Sequence, residues 1–553
     1  MPDVYVVSDF NAEMIARYLT TDQSPPICAA SCAPYGQLFQ TLAAPPQLGR
    51  DCYGFVWTRP EGAIPDYARL LEGHRIAPEV LLARVDDFAA SLKAFAQPLK
   101  ALFVATWVRS DVSRGMGMLD WSQDGYAYLL AKMNVRLAEN LAGIKGIYLL
   151  DANRWLETAR TPARDRKYWF TMKSPFTESV FQTAARDVKA AIRGCVGQSR
   201  KLVIVDLDDT MWGGVVGDQG WQDLRLGGHD HIGEAFVEFQ QALKELTARG
   251  IQVGLVSKND ESVALEAIDS HPAMVLRRSD LAGWRINWND KAQNLVDLIN
   301  DLNLGLHSVV FIDDNPTERG RVREALPDVL VPDWPKDPTR FAETLRMLDC
   351  FDQPALTDED RARTRMYVQD RERKQSGSGF ASLDEWLLSL DVKIEIAPVN
   401  GSNLKRTAQL LNKTSQMNLS NRRLAENELL QWLADRSDRK AYAMSVADRF
   451  GDLGLTGVIT WHCGEAGLEI VDFILSCRAM GRKVEETMVH IAVEAAREAG
   501  MPKVTARAMP TKRNSPCLDF WHRSGFDETE PNLFLWRTSN PYPKPECITL
   551  ERA

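Results

Sequence analysis

No stretch of the 553 residues approaches 18 consecutive apolar positions, so nothing in the sequence reads as a transmembrane helix. Basic residues are not in excess either: Lys and Arg number 66 against 75 Asp and Glu, a formal net charge of −9. That balance argues against nucleic acid as a partner, since a basic face must neutralise phosphates. Paired cysteines are absent. The nine cysteines are scattered, with no C-x-x-C; Cys28 and Cys32 sit four apart, but no second ligand pair follows them. This pattern suits reduced thiols better than a disulfide framework or a zinc site. The opening residues, Met1-Pro2-Asp3-Val4-Tyr5, show no basic stretch ahead of an apolar run, so a secretory leader is not expected. Internal repeats and low-complexity tracts are also missing. What remains is 45% hydrophobic and 25% charged residues, enough for several cores. The expectation is a cytoplasmic, multidomain protein with neither nucleic acid nor a membrane as partner.

Short apolar runs alternate with helix-period segments over the first third. Strands are expected at 4–7, 53–57, 102–107 and 146–150, with amphipathic segments at 11–19 and 78–95. A second series starts after residue 200, with strands at 202–205, 251–256 and 309–312. Alternation of this kind gives open, mostly parallel α/β layers. A charged stretch and a Ser/Gly hinge follow, and from Val392 strands and helices resume to about Trp536. The expected fold class is therefore α/β and multidomain. The expected spans are an α/β domain at 1–195, a second at 198–350, a charged helical linker at 351–385, an α+β domain at 386–540 and an extended Pro-containing tail at 541–553.

The middle span carries the clearest chemistry. Leu202-Val-Ile-Val205 reads as a buried strand followed by Asp206-Leu207-Asp208-Asp209-Thr210. Val309-Val-Phe-Ile312 is followed in the same way by Asp313 and Asp314. Ligands of open α/β sheets sit at the carboxyl ends of strands, so these acids are expected to meet in one cleft. Clustered carboxylates repel unless a cation neutralises them, and the hard-cation solution is Mg²⁺. Ser257, ending its strand, can hydrogen-bond a phosphoryl oxygen, and Lys291 can supply positive charge. The His229-Asp230-His231 run reads as a capped loop rather than a metal pair.

This ordered set, D-x-D-x-T, then Ser, Lys and Asp-Asp, resembles the haloacid dehalogenase superfamily. The resemblance implies that Asp206 is the nucleophile that takes a phosphoryl group and that Asp208 is the general acid/base. It also implies that Asp206, Asp313 and the backbone carbonyl of Asp208 hold Mg²⁺, with Asp314 in support. Ser257 and Lys291 complete the catalytic set, and Thr210, Trp212, Lys258 and Asn259 are candidate substrate contacts. The short spacing between these motifs leaves little room for a large cap domain.

Met211-Trp-Gly-Gly-Val-Val-Gly217, Phe311-Ile-Asp-Asp-Asn-Pro-Thr-Glu-Arg319, Asp448-Arg-Phe-Gly-Asp452 and Ser476-Cys-Arg-Ala-Met-Gly481 together resemble the FkbH-like family. That resemblance implies a phosphatase-like domain fused to an acyltransferase-like domain. It further implies the removal of phosphate from 1,3-bisphosphoglycerate and the loading of a D-glyceryl unit onto the phosphopantetheine thiol of an acyl carrier protein, in polyketide-type biosynthesis.

The last domain resembles the GNAT fold, with its central strand at 468–476. The following loop, Arg478-Ala-Met-Gly481-Arg482-Lys483, would bind a coenzyme A or pantetheine donor through backbone N–H groups. Arg478, Gly481, Arg482 and Asn514 are the donor-binding candidates. Lys483 stands where the fold usually has Gly or Ala, and Trp521 where it often has a tyrosine acid, so an ordinary acetyl-CoA enzyme is not expected. Cys477, at the end of the central strand, is the candidate acyl-accepting thiol, with Arg478 and Arg482 able to lower its pKa. His462 and His490 read as structural.

Val6-Val7-Ser8-Asp9 resembles the first block of SGNH-type hydrolases, but the late D-x-x-H is replaced by Asp151-Ala-Asn153-Arg154. Without a base the serine stays a weak nucleophile, so this domain is expected to be non-catalytic. The aromatic run Tyr168-Trp-Phe170 reads as interdomain packing. Two other functional readings stay open: a plain Mg²⁺-dependent phosphatase whose last domain only binds a partner, and a non-catalytic scaffold.

Overall fold

The computed structural model describes all residues except 50, 357–367, 369–382, 425, 512–513 and 553, and it does not describe the side chains of 383 and 477. The protein is a multidomain α/β chain that divides into two compact units. Met1–Arg200 and Met347–Leu356 make up one, Lys201–Arg346 and Thr357–Ala553 the other. The segment after Arg346, expected to close the middle domain, thus belongs to the first unit. Most of the expected charged linker at 351–385 lies outside the described residues.

The first unit is built on a parallel sheet of β1 (Asp3–Val7), β2 (Ala29–Cys32), β3 (Cys52–Val56), β4 (Ala101–Ala105) and β5 (Ile147–Leu150), in the order β2-β1-β3-β4-β5. This is the flavodoxin-like order of doubly wound sheets. Strands β3 and β4 are buried at every position, as parallel strands covered on both faces must be. Helices Glu13–Thr21 and Glu178–Cys195 cover one face and Pro78–Ala96 and Tyr126–Leu141 the other. Strand β2 was not expected from the sequence. It is short, half-exposed and edge-lying, and shows no apolar alternation.

In the second unit, β6 (Leu202–Val205), β7 (Gln252–Ser257), β8 (Leu281–Ile286) and β9 (Val309–Ile312) form a parallel sheet in the order β8-β7-β6-β9. Every position of β6, β7 and β9 is buried. The edge strand β8 was unforeseen, because Leu281-Ala-Gly-Trp-Arg-Ile286 has neither a continuous apolar run nor a clean alternation.

The rest of this unit is a mostly antiparallel sheet. Its strands are β10 (Val392–Pro398), β11 (Met417–Asn418), β12 (Arg439–Asp448), β13 (Gly451–Gly464), β14 (Gly467–Leu475), β15 (Lys503–Arg507), β16 (Asp527–Glu530), β17 (Leu533–Arg537) and β18 (Ile548–Arg552). The parallel pair β14–β15 is joined only from Leu468 to Ile470, whereas the far end of β14 pairs with β11. The two parallel strands therefore part company before β14 ends. The expected extended tail is a correction: Ile548–Arg552 returns to pair in parallel with β10, because Ile548 and Leu550 alternate with polar residues. No helix among the described residues is long and apolar enough to cross a membrane.

Candidate active site

The register of β6 and β9 assembles the acids. Val205 pairs with Ile312, and the amide of Asp206 donates to the Ile312 carbonyl at 3.0 Å, so Asp206 and Asp313 leave adjacent strands side by side. Helix Lys291–Asp301 starts at Lys291, with Asp290 capping it by accepting from the Gln293 amide. Its ammonium lies 2.7 Å from Asp313 Oδ2 and 3.0 Å from Asp206 Oδ2. All three side chains are almost fully buried. Asp206 Oδ1 is buried without a hydrogen-bond partner among the described residues.

Charge explains what this cluster needs. Carboxylate oxygens of Asp206, Asp313 and Asp314 lie within 4.8 Å of one another. Three carboxylates against one ammonium leave two negative charges in a buried place, where like charges a few ångströms apart cost several kcal/mol (~4 at an effective dielectric of 20). Burial and the neighbouring Asp206 push Asp313 up to about 6. The same two causes raise Asp314. Burial disfavours the charge on Lys291, but Asp206 and Asp313 outweigh it and hold the ammonium above its usual range. Hard oxygen donors, an unsatisfied buried oxygen and an excess charge of two fit Mg²⁺.

Asp208 sits in a separate set of bonds. Its Oδ1 accepts from Trp212 Nε1 at 2.9 Å and from the Val216 amide at 3.1 Å, and its Oδ2 accepts from Asn259 Nδ2 at 2.8 Å. Burial, more than these bonds opposes it, raises the Asp208 pKa. Trp212 and Asn259, the expected substrate contacts, each donate a hydrogen bond to this carboxylate. Thr210 is likewise engaged with Asp314, whose amide donates to its Oγ1 at 3.1 Å. Lys258 pairs with Glu318 at 2.6 Å. Ser257 is buried as the last residue of β7, the strand next to β6.

Two residues of the cluster were missed. Arg319 donates to the carbonyls of Asp313 and Asp314 at 2.7 and 2.6 Å, fixing the turn that carries both acids. Glu318 anchors Lys258. The available signal was their place in the first turns of the helix Pro316–Ala325, directly after the acidic pair. Asp230 caps helix His231–Ala248 and binds Arg225 through both oxygens, as the capped-loop reading of His229-Asp230-His231 requires.

In the last sheet, Cys477 opens a short turn, Cys477–Ala479, after β14, and its side chain lies outside the described residues. Arg478 Nε donates to Ser476 Oγ at 3.3 Å, and Arg482 is buried and donates to the Arg478 carbonyl. Gly481 donates its amide to Glu485 Oε1 at 2.9 Å, so its N–H is engaged within the protein. Asn514, the other donor-binding candidate, is buried and bonded within the protein. Its Nδ2 donates to the Asn418 and Met509 carbonyls and its Oδ1 accepts from Thr511, so the side chain ties loops across the gap between β14 and β15. Trp521 is wholly buried among Phe473, Phe520, Phe526 and Phe534. His462 faces Glu469, and His490 bonds the Tyr542 carbonyl.

At the carboxyl end of β1, buried Ser8 accepts from the Phe10 amide at 3.1 Å, and Asp9 binds Arg59 at 2.7 Å. The one histidine in this unit's sequence, His74, is exposed and faces Glu72. Asp151 caps helix Ala152–Glu157. Of the aromatic run, Trp169 stacks under Arg59 at 4.1 Å within its own unit, and Phe170 is exposed.

No protein-family model and no curated protein matches this chain. Among solved structures, it is similar to the crystal structure of the N-terminal part of protein BF1531 from Bacteroides fragilis, which contains a phosphatase domain and is complexed with Mg. The identity is 26% and the TM-score 0.58, over 64% of this chain and 96% of that one. It is also similar to spermidine N-acetyltransferase from Vibrio cholerae in complex with CoA and spermine, at 12% identity and TM-score 0.22 over 27% of this chain and 97% of that one. An acetyltransferase of the GNAT family from Staphylococcus aureus matches at 9% identity and TM-score 0.21, over 26% of this chain and 99% of that one.

Proposed function

We propose that this chain is a cytoplasmic, Mg²⁺-dependent phosphatase fused to an acyltransferase, of the FkbH-like kind. It would take a small phosphorylated metabolite, 1,3-bisphosphoglycerate, and load its D-glyceryl unit onto the phosphopantetheine thiol of an acyl carrier protein. The observation that carries the phosphatase part is the buried, partnerless Oδ1 of Asp206, beside a lysine-bridged pair of acids. The similarity to a Mg-complexed phosphatase domain supports it.

Asp206, Asp313 and the Asp208 carbonyl, with Asp314 beside them, would hold Mg²⁺, which supplies positive charge to a phosphoryl group. The Asp206 carboxylate attacks phosphorus, and the bond from phosphorus to the leaving oxygen breaks. Asp208 gives that oxygen its proton and then takes one from the water that attacks the aspartyl phosphate, returning Asp206 and free phosphate. Trp212, Val216 and Asn259 keep Asp208 in place for both transfers. Lys291 holds Asp206 and Asp313 in register, and Ser257 offers its hydroxyl to a phosphoryl oxygen.

In the acyl step, the Cys477 sulfur bonds to the carbonyl carbon of the acyl phosphate as the bond from that carbon to the phosphate oxygen breaks and inorganic phosphate leaves; the carrier thiol then attacks the same carbon and releases the Cys477 thiol. The test is intact-mass analysis after incubation with Mg²⁺, 1,3-bisphosphoglycerate and a phosphopantetheinylated carrier. A glyceryl adduct on the carrier is expected, and Cys477→Ala is expected to abolish it while sparing phosphate release. Normal loading by Cys477→Ala would remove the thiol relay. Phosphate release with no adduct on either protein would leave a plain phosphatase.

A further inference from the structure

The loop between β14 and helix Val484–Glu498 has the backbone of an anion site. Gly481 at φ 73° and Lys483 at φ 61° are both left-handed, and they lead into a helix of 15 residues that has no side-chain cap. Backbone N–H groups in such a loop, backed by a helix N-terminus, form a concavity that takes phosphate oxygens. Here the concavity already holds a carboxyl group, supplied by the protein. Glu485 lies on the first turn, only 5% exposed, and its Oε1 accepts from the Gly481 amide at 2.9 Å. Its Oε2 is buried with no partner. A carboxylate buried with one oxygen unbonded is costly to keep, and this one is kept at the position a phosphate oxygen would claim. Of the cations in this loop, Lys483 is paired with Glu486 at 3.0 Å, and Arg482 donates to the Arg478 carbonyl.

We infer that Glu485 is a specificity-determining residue which fills the phosphate position of this loop and excludes the diphosphate of free coenzyme A. The last domain then takes its acyl group from the protein's own phosphorylated substrate and not from an acyl-CoA. This inference rests on the acyl-transfer reading for its meaning, but its test does not. Burial pushes Glu485 up to about 7, which agrees with a carboxyl group held in a place that does not solvate it.

The test is titration calorimetry of the full chain with coenzyme A and with pantetheine, which lacks the phosphates. The wild-type chain is expected to bind the two equally, within about threefold, because the phosphates find no site. Glu485→Ala vacates the position and frees the Gly481 amide, and it is expected to raise coenzyme A affinity roughly tenfold or more while leaving pantetheine unchanged. Wild-type binding of coenzyme A roughly tenfold tighter than pantetheine would overturn the inference, as would a folded Glu485→Ala chain with no gain. Should Glu485→Ala fail to fold, the wild-type ratio decides alone. Carrier loading plays no part in this measurement, so failure of the acyl-transfer reading would be seen separately.

Discussion

Two parallel sheets in this chain each run a buried apolar strand into a potential nucleophile, and the bonds made at the two strand ends differ. At the end of β1, Ser8 is already a hydrogen-bond acceptor for its own loop and Asp9 is held by Arg59. At the end of β6, Asp206 keeps a buried oxygen with no bond among the described residues, and Lys291 bridges its other oxygen to Asp313. Position at a strand end is common to both. The difference lies in unspent bonding capacity, which costs stability and is retained where a substrate or ion is to use it.

The sharpest test of that contrast replaces both residues. Asp206→Asn is expected to lower phosphate release by at least ~10³-fold, as loss of a covalent nucleophile does, whereas Ser8→Ala should leave it within about twofold. A Ser8→Ala chain that loses release would overturn the contrast. The support of Asp208 gives the next effect. Removing the amide that donates to its Oδ2, in Asn259→Ala, should lower kcat by roughly 10–100-fold with little change in KM, since the residue bonds the proposed acid directly. A rise in KM alone would return Asn259 to substrate contact.

The smallest effect is read in stability. Asp313 has a folded pKa of about 6, above its unfolded value of 3.8. The metal-free fold therefore binds that proton more tightly than the unfolded chain does. Its contribution is fully present below pH 3.8 and is lost as pH rises through 6. Adding Mg²⁺ should consequently raise Tm more at pH 7.5 than at pH 5, where a proton still competes. Equal shifts at both pH values, measured by differential scanning fluorimetry with and without chelator, would mean that the ion does not sit on this acid.

How much of this was legible in the sequence follows from distance along the chain. The strands β6 and β9 and the acids after them could be read because each motif is local, an apolar run and the polar residues that end it. The same holds for the cap at Asp230. Partnerships were not legible: nothing in the text at Trp212 or Asn259 says that both donate to Asp208, and nothing at Gly481 says that its amide is taken by Glu485. Edge strands were lost for a different reason. β2 is largely part-exposed, β8 has its apolar run broken by Gly283 and Arg285, and β18 was hidden behind three prolines that suggested a free tail.

The pairing of Val205 with Ile312 also has a consequence for mutational tolerance. Side chains alternate along a strand, so losing or gaining one residue within Val309–Ile312 would turn Asp313 to the other face of the sheet or draw it away from Asp206. The four apolar positions could still exchange Val, Ile and Leu among themselves at modest cost. Descendants of this sequence should therefore vary freely in the letters of β9 and hardly at all in its length, and a single-codon deletion there should cost more than most substitutions.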